Sequence, residues 1–331
     1  MPISYPAGTL AEHAAVRASA GLFDVTHLGK IRLRGEGARP LLERTLTNRM
    51  ADLEAGRARY ALLCDDAGGV VDDLIAYAVA PDDVLVVPNA SNRDAVAAVL
   101  EAYADPAVAL EVAELTTYAI QGPASKAILE AMFPATKGMP YMGVVVEGEV
   151  IVARSGYTGE WGYEIFTTFA DSGATWDALL AAVRASGGEP CGLAARDTLR
   201  LEMGYPLHGN DLSREITPLE AGLGWAVKLE GRSFPGSDAL RASPPGRSLV
   251  GLRGDHRIIP RTGCPVVLRG ESVGTVTSGT LSPTLREPIA LALVAVAAAA
   301  EPELEVDVRG RLGRFKVVKP PFVDASPRRE P

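Results

Sequence analysis

The sequence predicts an α+β fold followed by a separate, smaller β-domain, and three observations carry that prediction. The chain has 331 residues, more than one hydrophobic core usually serves, so two or three domains are expected. Its 47% hydrophobic and 22% charged residues are those of a globular chain with enough apolar surface to build a core. Up to about Leu229, β-prone runs alternate with segments of helical spacing. From Ser248 onward the chain becomes short β-prone runs broken by Gly and Pro.

Taken in order, Leu10, His13, Ala14, Val16 and Ala20 have helical spacing, and Gly21 is expected to end that helix as a left-handed C-terminal residue. GLFDVTHLGK then reads as a loop. Ala58 to Cys64 and Val70 to Val79 flank the turn-rich DDAGG, which predicts an antiparallel hairpin. Val84 to Val87 reads as a strand, and Ser91 as the N-cap of a helix running to Tyr103. Two further strand-helix units follow, Thr117 to Gln121 with a helix from Pro123, and Tyr163 to Phe166 with a helix near Ser172 to Ser186. The Gly- and Pro-rich GRSFPGSDALRASPPGR reads as a linker, which divides the chain into 1–245 and a β-barrel or sandwich over 246–331.

Composition excludes several classes of function. Thirty-three Lys+Arg against 41 Asp+Glu give a net charge of -8, which opposes the electrostatic attraction that nucleic-acid binding needs. Cys64, Cys191 and Cys264 are odd in number and far apart, so no disulfide framework is expected, and a reducing, cytoplasmic setting fits. The longest apolar stretch, Ile289 to Ala300, falls short of the roughly 20 residues that cross a bilayer, so no membrane helix is expected. Neither P-loop, GxGxxG, GxSxG nor HExxH occurs, and His13, His27, His208 and His256 have no ligand spacing, so no metal site is expected.

Three segments remain as candidates for chemistry. In Gly69-Val70-Val71-Asp72-Asp73-Leu74-Ile75 adjacent residues point to opposite faces of a strand, so one carboxylate must face whatever the strand packs against. Such a carboxylate either has a raised pKa suited to acid/base work or is a strand-end group bonded to backbone. Ser155 to Ile165, SGYTGEWGYEI, combines three glycines with three aromatics and brings Glu164 into a strand. A carboxylate beside aromatics can take two parallel hydrogen bonds from a pterin-like edge, although an aromatic-rich hairpin can equally be core. In CGLAARDTLRLE, Arg196 and Arg200 are one helical turn apart and repel unless an anion or carboxylate intervenes.

With EHAAVRASAGLFDVTHLGK, AIQGPASKAI, GYPLHGNDL, ITPLEAGLGWAVKL, VTSGTLSPTLREPIALALV and KVVKPPFV, these segments resemble, in order from about Pro2 to Val323, the glycine cleavage T-protein family. The resemblance implies a three-domain cloverleaf around a central channel that binds tetrahydrofolate, with a C-terminal β-barrel. It implies an aminomethyltransferase that takes a one-carbon unit from the lipoyl arm of a partner H-protein, releases ammonia and forms 5,10-methylenetetrahydrofolate. By position it makes Asp72 the catalytic carboxylate beside the folate amine, Glu164 the pterin grip and Arg196 a substrate-binding arginine. Tyr60, Leu28, Asn89, Tyr157 and Tyr163 line the pocket in the same reading, with Leu28 standing where many members have Met. Family members usually begin some two dozen residues before the Met-Pro seen here, which implies either a late start or a first domain lacking one piece.

A superfamily branch that demethylates small methylated amines or sulfonium compounds shares the same channel. A catalytically silent folate-binding accessory protein is the other alternative. The accessory branch of the superfamily that serves tRNA modification carries a KGCYxGQ-type motif, whereas Lys228 to Gly236 reads KLEGRSFPG, without Cys.

Overall fold

The computed structural model describes residues 2–254 and 258–331, so His256 lies outside the described residues. The chain divides into two compact units. The first comprises the chain up to Leu63, Val71–Arg196 and Ser326–Pro331; the second comprises Cys64–Val70 and Asp197–Ala325.

Two sheets make the first unit. One runs in the order Glu189–Cys191, Gly21–Asp24, Leu115–Gln121, Gly162–Thr168, Val150–Ala153, Val144–Glu147. The other runs Arg57–Cys64, Val70–Ala80, Asp83–Val87, Ile31–Arg34, Ala109–Val112. Side chains alternate across each strand, and that period sorts the core into three layers. Ala76, Ala78, Val84 and Val86 pack with helices Ala38–Thr45 and Arg93–Tyr103 on the outer face of the second sheet. Tyr163 and Ile165 pack with helices Ser125–Met132 and Ser172–Ala185 on the outer face of the first. Between them, Tyr77, Leu85 and Val87 meet Ala153 and Phe166 in a layer shared by both sheets. Being covered on both faces, the strands carry near-continuous apolar runs, which explains why sequence periodicity marks them only weakly.

The expected hairpin forms from Arg57–Cys64 and Val70–Ala80, and the strand-helix units that follow it also form. Two local expectations fail. Gly21 does not cap a helix: Thr9–Ala18 ends at Ser19, and Gly21 opens the strand Gly21–Asp24, which pairs on both sides, so part of the expected loop is sheet. A Cβ on Gly21 would lie 2.3 Å from Val16 Cγ2 and 2.7 Å from Cys191 Sγ, so glycine serves close strand-helix approach rather than a turn. Ser91 is not an N-cap either. It lies in the short 3-10 turn Ala90–Asn92, ahead of the helix Arg93–Tyr103, and makes no side-chain cap bond.

In the second unit the late β-prone runs close a six-stranded barrel in the order Arg247–Arg253, Pro288–Ala295, Glu271–Leu281, Pro265–Leu268, Glu303–Val308, Arg311–Val318. Closure removes the unpaired sheet edges, and Leu252, Val276, Ala292, Val306 and Phe315 fill the interior. Residues 197–245, which precede the barrel, group with it rather than with the sheets of the first unit. Arg200, 2% exposed, donates to Asp211 Oδ2 (2.8 Å) and Ser278 Oγ (2.9 Å) and is paired with Asp197 (2.7 Å). Glu202 accepts from the hydroxyls of Ser282 and Thr284. Within the helix Leu193–Glu202, Arg200 and Glu202 are therefore structural ion and hydrogen-bond partners of the second unit.

Candidate functional site

Strand alternation decides which predicted residues can share a site. On the strand Val70–Ala80, Tyr77 belongs to the layer between the sheets, and so does Ile75. Asp73 has the same parity. Its Oδ2 accepts from the Tyr60 hydroxyl (3.1 Å) and its Oδ1 from the Asn89 side-chain amide (2.9 Å), and it is half-buried. Burial first, and then the neighbouring Asp73 carboxylate, pushes the Tyr60 phenol well above its ordinary range.

Asp72 is placed differently. It is fully buried; its Oδ2 accepts from the Asn89 backbone N–H (2.9 Å) and its Oδ1 from the side-chain amides of Asn89 (2.9 Å) and Asn92 (2.7 Å). Three N–H donors suit a carboxylate, which only accepts, and this arrangement meets the cost of burying one. The amide of Asn89 bridges Asp72 and Asp73 and so ties the buried carboxylate to the more open one.

On the strand Gly162–Thr168 the same alternation parts Tyr163 from Glu164. Tyr163, 1% exposed, packs among the helices of the outer layer and accepts from Trp161 Nε1 (3.0 Å). Glu164 points the other way, and its Oε2 accepts from the Tyr77 hydroxyl (2.6 Å) and the Ser155 hydroxyl. Tyr163 is thus not brought together with the other predicted residues. Glu164 is 6% exposed, and its Oε1 accepts no hydrogen bond among the described residues. Burial, reinforced by Glu164, also holds the Tyr77 phenol well above its ordinary range, so it remains a donor.

Tyr157 and Arg196 form a third cluster. The Arg196 guanidinium lies 4.5 Å from the centre of the Tyr157 ring, and both residues are half-buried. Arg196 stacks on an aromatic face, and Arg200 is ion-paired. Leu28 packs against the apolar layer that holds Tyr77 and Phe166.

Sequence reasoning singled out Asp72 and Asp73 together, and missed Tyr77, Ser155 and Asn92 as partners in these clusters. Tyr77 was legible, because it lies four residues beyond Asp73 on one strand face. Ser155 and Asn92 act through contacts that no local pattern encodes.

The first part of the chain, residues 1–231, matches the GCVT N-terminal domain, and residues 247–324 match the glycine cleavage T-protein C-terminal barrel domain. The chain belongs to the glycine cleavage T-protein family. It is 50% identical to an aminomethyltransferase of a Parafrankia species, over 99% of this chain and 93% of that one. It is 47% identical to an aminomethyltransferase of Mycobacterium bovis, over 99% and 92% respectively. Its fold superposes on the crystal structure of the glycine cleavage system aminomethyltransferase T from Bartonella henselae with a TM-score of 0.93, at 36% identity, covering 98% of this chain and 92% of the other. The α+β fold with a closed C-terminal barrel is that family's fold.

Proposed function

We infer that the chain is the aminomethyltransferase of glycine cleavage, acting on a lipoylated H-protein and tetrahydrofolate in the cytoplasm. In that reaction the donor carbon loses its bonds to sulfur and to nitrogen and gains bonds to two folate nitrogens. The two N–H protons lost by the folate leave with the thiol and the ammonia. Tetrahydrofolate, when bound, supplies the two accepting nitrogens.

The observation that carries the reading is Glu164. A carboxylate 6% exposed, with one oxygen anchored by two hydroxyls and the other left to accept, suits a flat ligand that offers adjacent N–H groups. Orientation by such a contact is worth a large part of a transfer rate.

Asp73 shares a strand face with Tyr77, the Glu164 donor, and is the more open of the two aspartates. We assign to Asp73 the contact with the reacting amine, and to Asp72 the buried negative charge that fixes Asn89 and, through it, Asp73. The role first expected of Asp72 passes to its neighbour because a fully buried carboxylate already holding three donors has little left for a substrate. Tyr60 holds Asp73 in one rotamer, and Arg196 over Tyr157 offers a guanidinium to a substrate carboxylate.

The direct test mixes the purified protein with aminomethyl-loaded lipoyl H-protein and tetrahydrofolate, and follows ammonia and 5,10-methylenetetrahydrofolate. Folate-dependent ammonia release is the expected result. Folate binding without release from that donor would refute the glycine cleavage assignment.

A further inference from the structure

A cavity of about 760 Å³ in the first unit is lined by Arg57, Arg59, Arg154 and Arg328, with Tyr141 in its wall and only two carboxylates, Asp52 and Glu54. None of the residues assigned above to folate or transfer lines it. One of the two carboxylates is already engaged, since Asp52 pairs with Arg59. The walls therefore carry an excess of positive charge in a chain whose net charge is -8.

Arg154 is the informative member. It is 6% exposed, and its terminal nitrogens donate to two backbone carbonyls, Met139 O (2.9 Å) and Pro327 O (3.2 Å). Its guanidinium lies 3.3 Å from the centre of the Trp161 ring. Its buried Nε has no hydrogen-bond partner. Carbonyls and a ring face stabilise a cation only in part, and the one carboxylate that acts on Arg154, Glu330, is exposed to solvent, so the buried charge is only partly met. Consistently, burial lowers the Arg154 pKa from its ordinary value. Arg328, from the last residues of the chain, reaches the same cavity with its guanidinium 5.2 Å from the Tyr141 ring.

We propose that this cavity is a binding site for a small organic anion bearing two or more phosphate or carboxylate groups. Arg57, Arg154 and Arg328 hold its charges, and Tyr141 and Met142 pack against its body. The volume is in the range of sites that enclose a whole small molecule, and guanidinium forks match both oxyanion geometries.

Calorimetry on the full chain, with inorganic pyrophosphate and with citrate as probes, tests it. Saturable binding of at least one probe is expected, and the tighter probe tells phosphate from carboxylate recognition. Arg57→Ala and Arg328→Ala, both at residues with exposed surface, should each weaken that probe about tenfold or more, as loss of one charge-assisted contact does. Arg154→Met should weaken it further; because that variant can fail to fold, the two other variants decide. Arg311→Ala, on an exposed barrel strand, should leave probe binding unchanged. No saturable binding of either probe, or equal weakening by Arg311→Ala, would overturn the proposal.

Discussion

The two ends of the candidate site handle buried carboxylates in opposite ways. At the Asp72–Asp73 end two asparagines and a backbone N–H hold the inner carboxylate through both of its oxygens, and one of those asparagines, together with the Tyr60 hydroxyl, holds the outer one. At the Glu164 end the donors are hydroxyls, from Tyr77 and Ser155, and both go to a single oxygen. A saturated carboxylate is a structural charge, whereas a half-saturated one retains capacity for a ligand. The comparison therefore teaches that depth of burial alone does not set how many acceptor sites a carboxylate keeps open for a ligand.

Four measurements would break or sharpen that contrast, beginning with the largest expected effect. Asp73→Asn should lower the rate of methylenetetrahydrofolate formation by roughly 10²-fold with folate affinity nearly unchanged, as loss of a positioned charge does. Near-normal turnover would remove Asp73 from the reaction. Glu164→Gln should weaken tetrahydrofolate binding about tenfold or more by calorimetry, since hydrogen bonds to charged groups are worth roughly 1.5–3 kcal/mol; an unchanged Kd would return Glu164 to a structural role.

Asp72→Asn should act first on stability. An amide in place of the carboxylate presents donors to donors, and a loss of about 1–3 kcal/mol in denaturant unfolding is expected. A variant of full stability that loses turnover as severely as Asp73→Asn would reverse the division of labour between the two. The smallest effect belongs to Tyr77→Phe, about 1.5 kcal/mol at neutral pH, the low end for a hydrogen bond to a carboxylate, because Ser155 still holds the same oxygen.

That last variant carries a pH signature. The Tyr77 phenol is raised above its ordinary value of 10.0 by burial and by Glu164, so above pH 10 the folded state holds a proton that the unfolded state has released. Its contribution is complete below that pH and is lost as pH climbs toward the folded value. Stability of the parent should thus fall more steeply above pH 10 than that of Tyr77→Phe, and parallel curves would argue against the shift.

Much of the fold was legible because local chemistry and tertiary context agree. The DDAGG spacer between two apolar runs makes a hairpin, and the shift to short β-prone runs near residue 247 marks the barrel. Gly21 and Ser91 were misread because each has a common local use, as a C-cap and an N-cap, that neighbours override: Val16 and Cys191 crowd Gly21, and the amide of Asn92 is committed to Asp72. The residue types of the site were legible too, in the aspartate pair and the SGYTGEWGYE block. Which of two adjacent residues faces the neighbouring sheet was not, for Asp72 against Asp73 or for Tyr163 against Glu164.

By itself, the sequence determined the alternation of strands and helices, the late barrel, the absence of any long apolar segment, and the family, because hydrophobic period, turn chemistry and motif order are properties of neighbours along the chain. The tertiary structure alone decided which strand face meets the other sheet, that Asn89 joins two aspartates, and that Ser155 and Tyr77 share one oxygen of Glu164. A one-residue shift in strand phase moves a side chain to the opposite face. These strands are apolar on both faces, so the pattern contains nothing that sets the phase, and only packing against a second sheet resolves it.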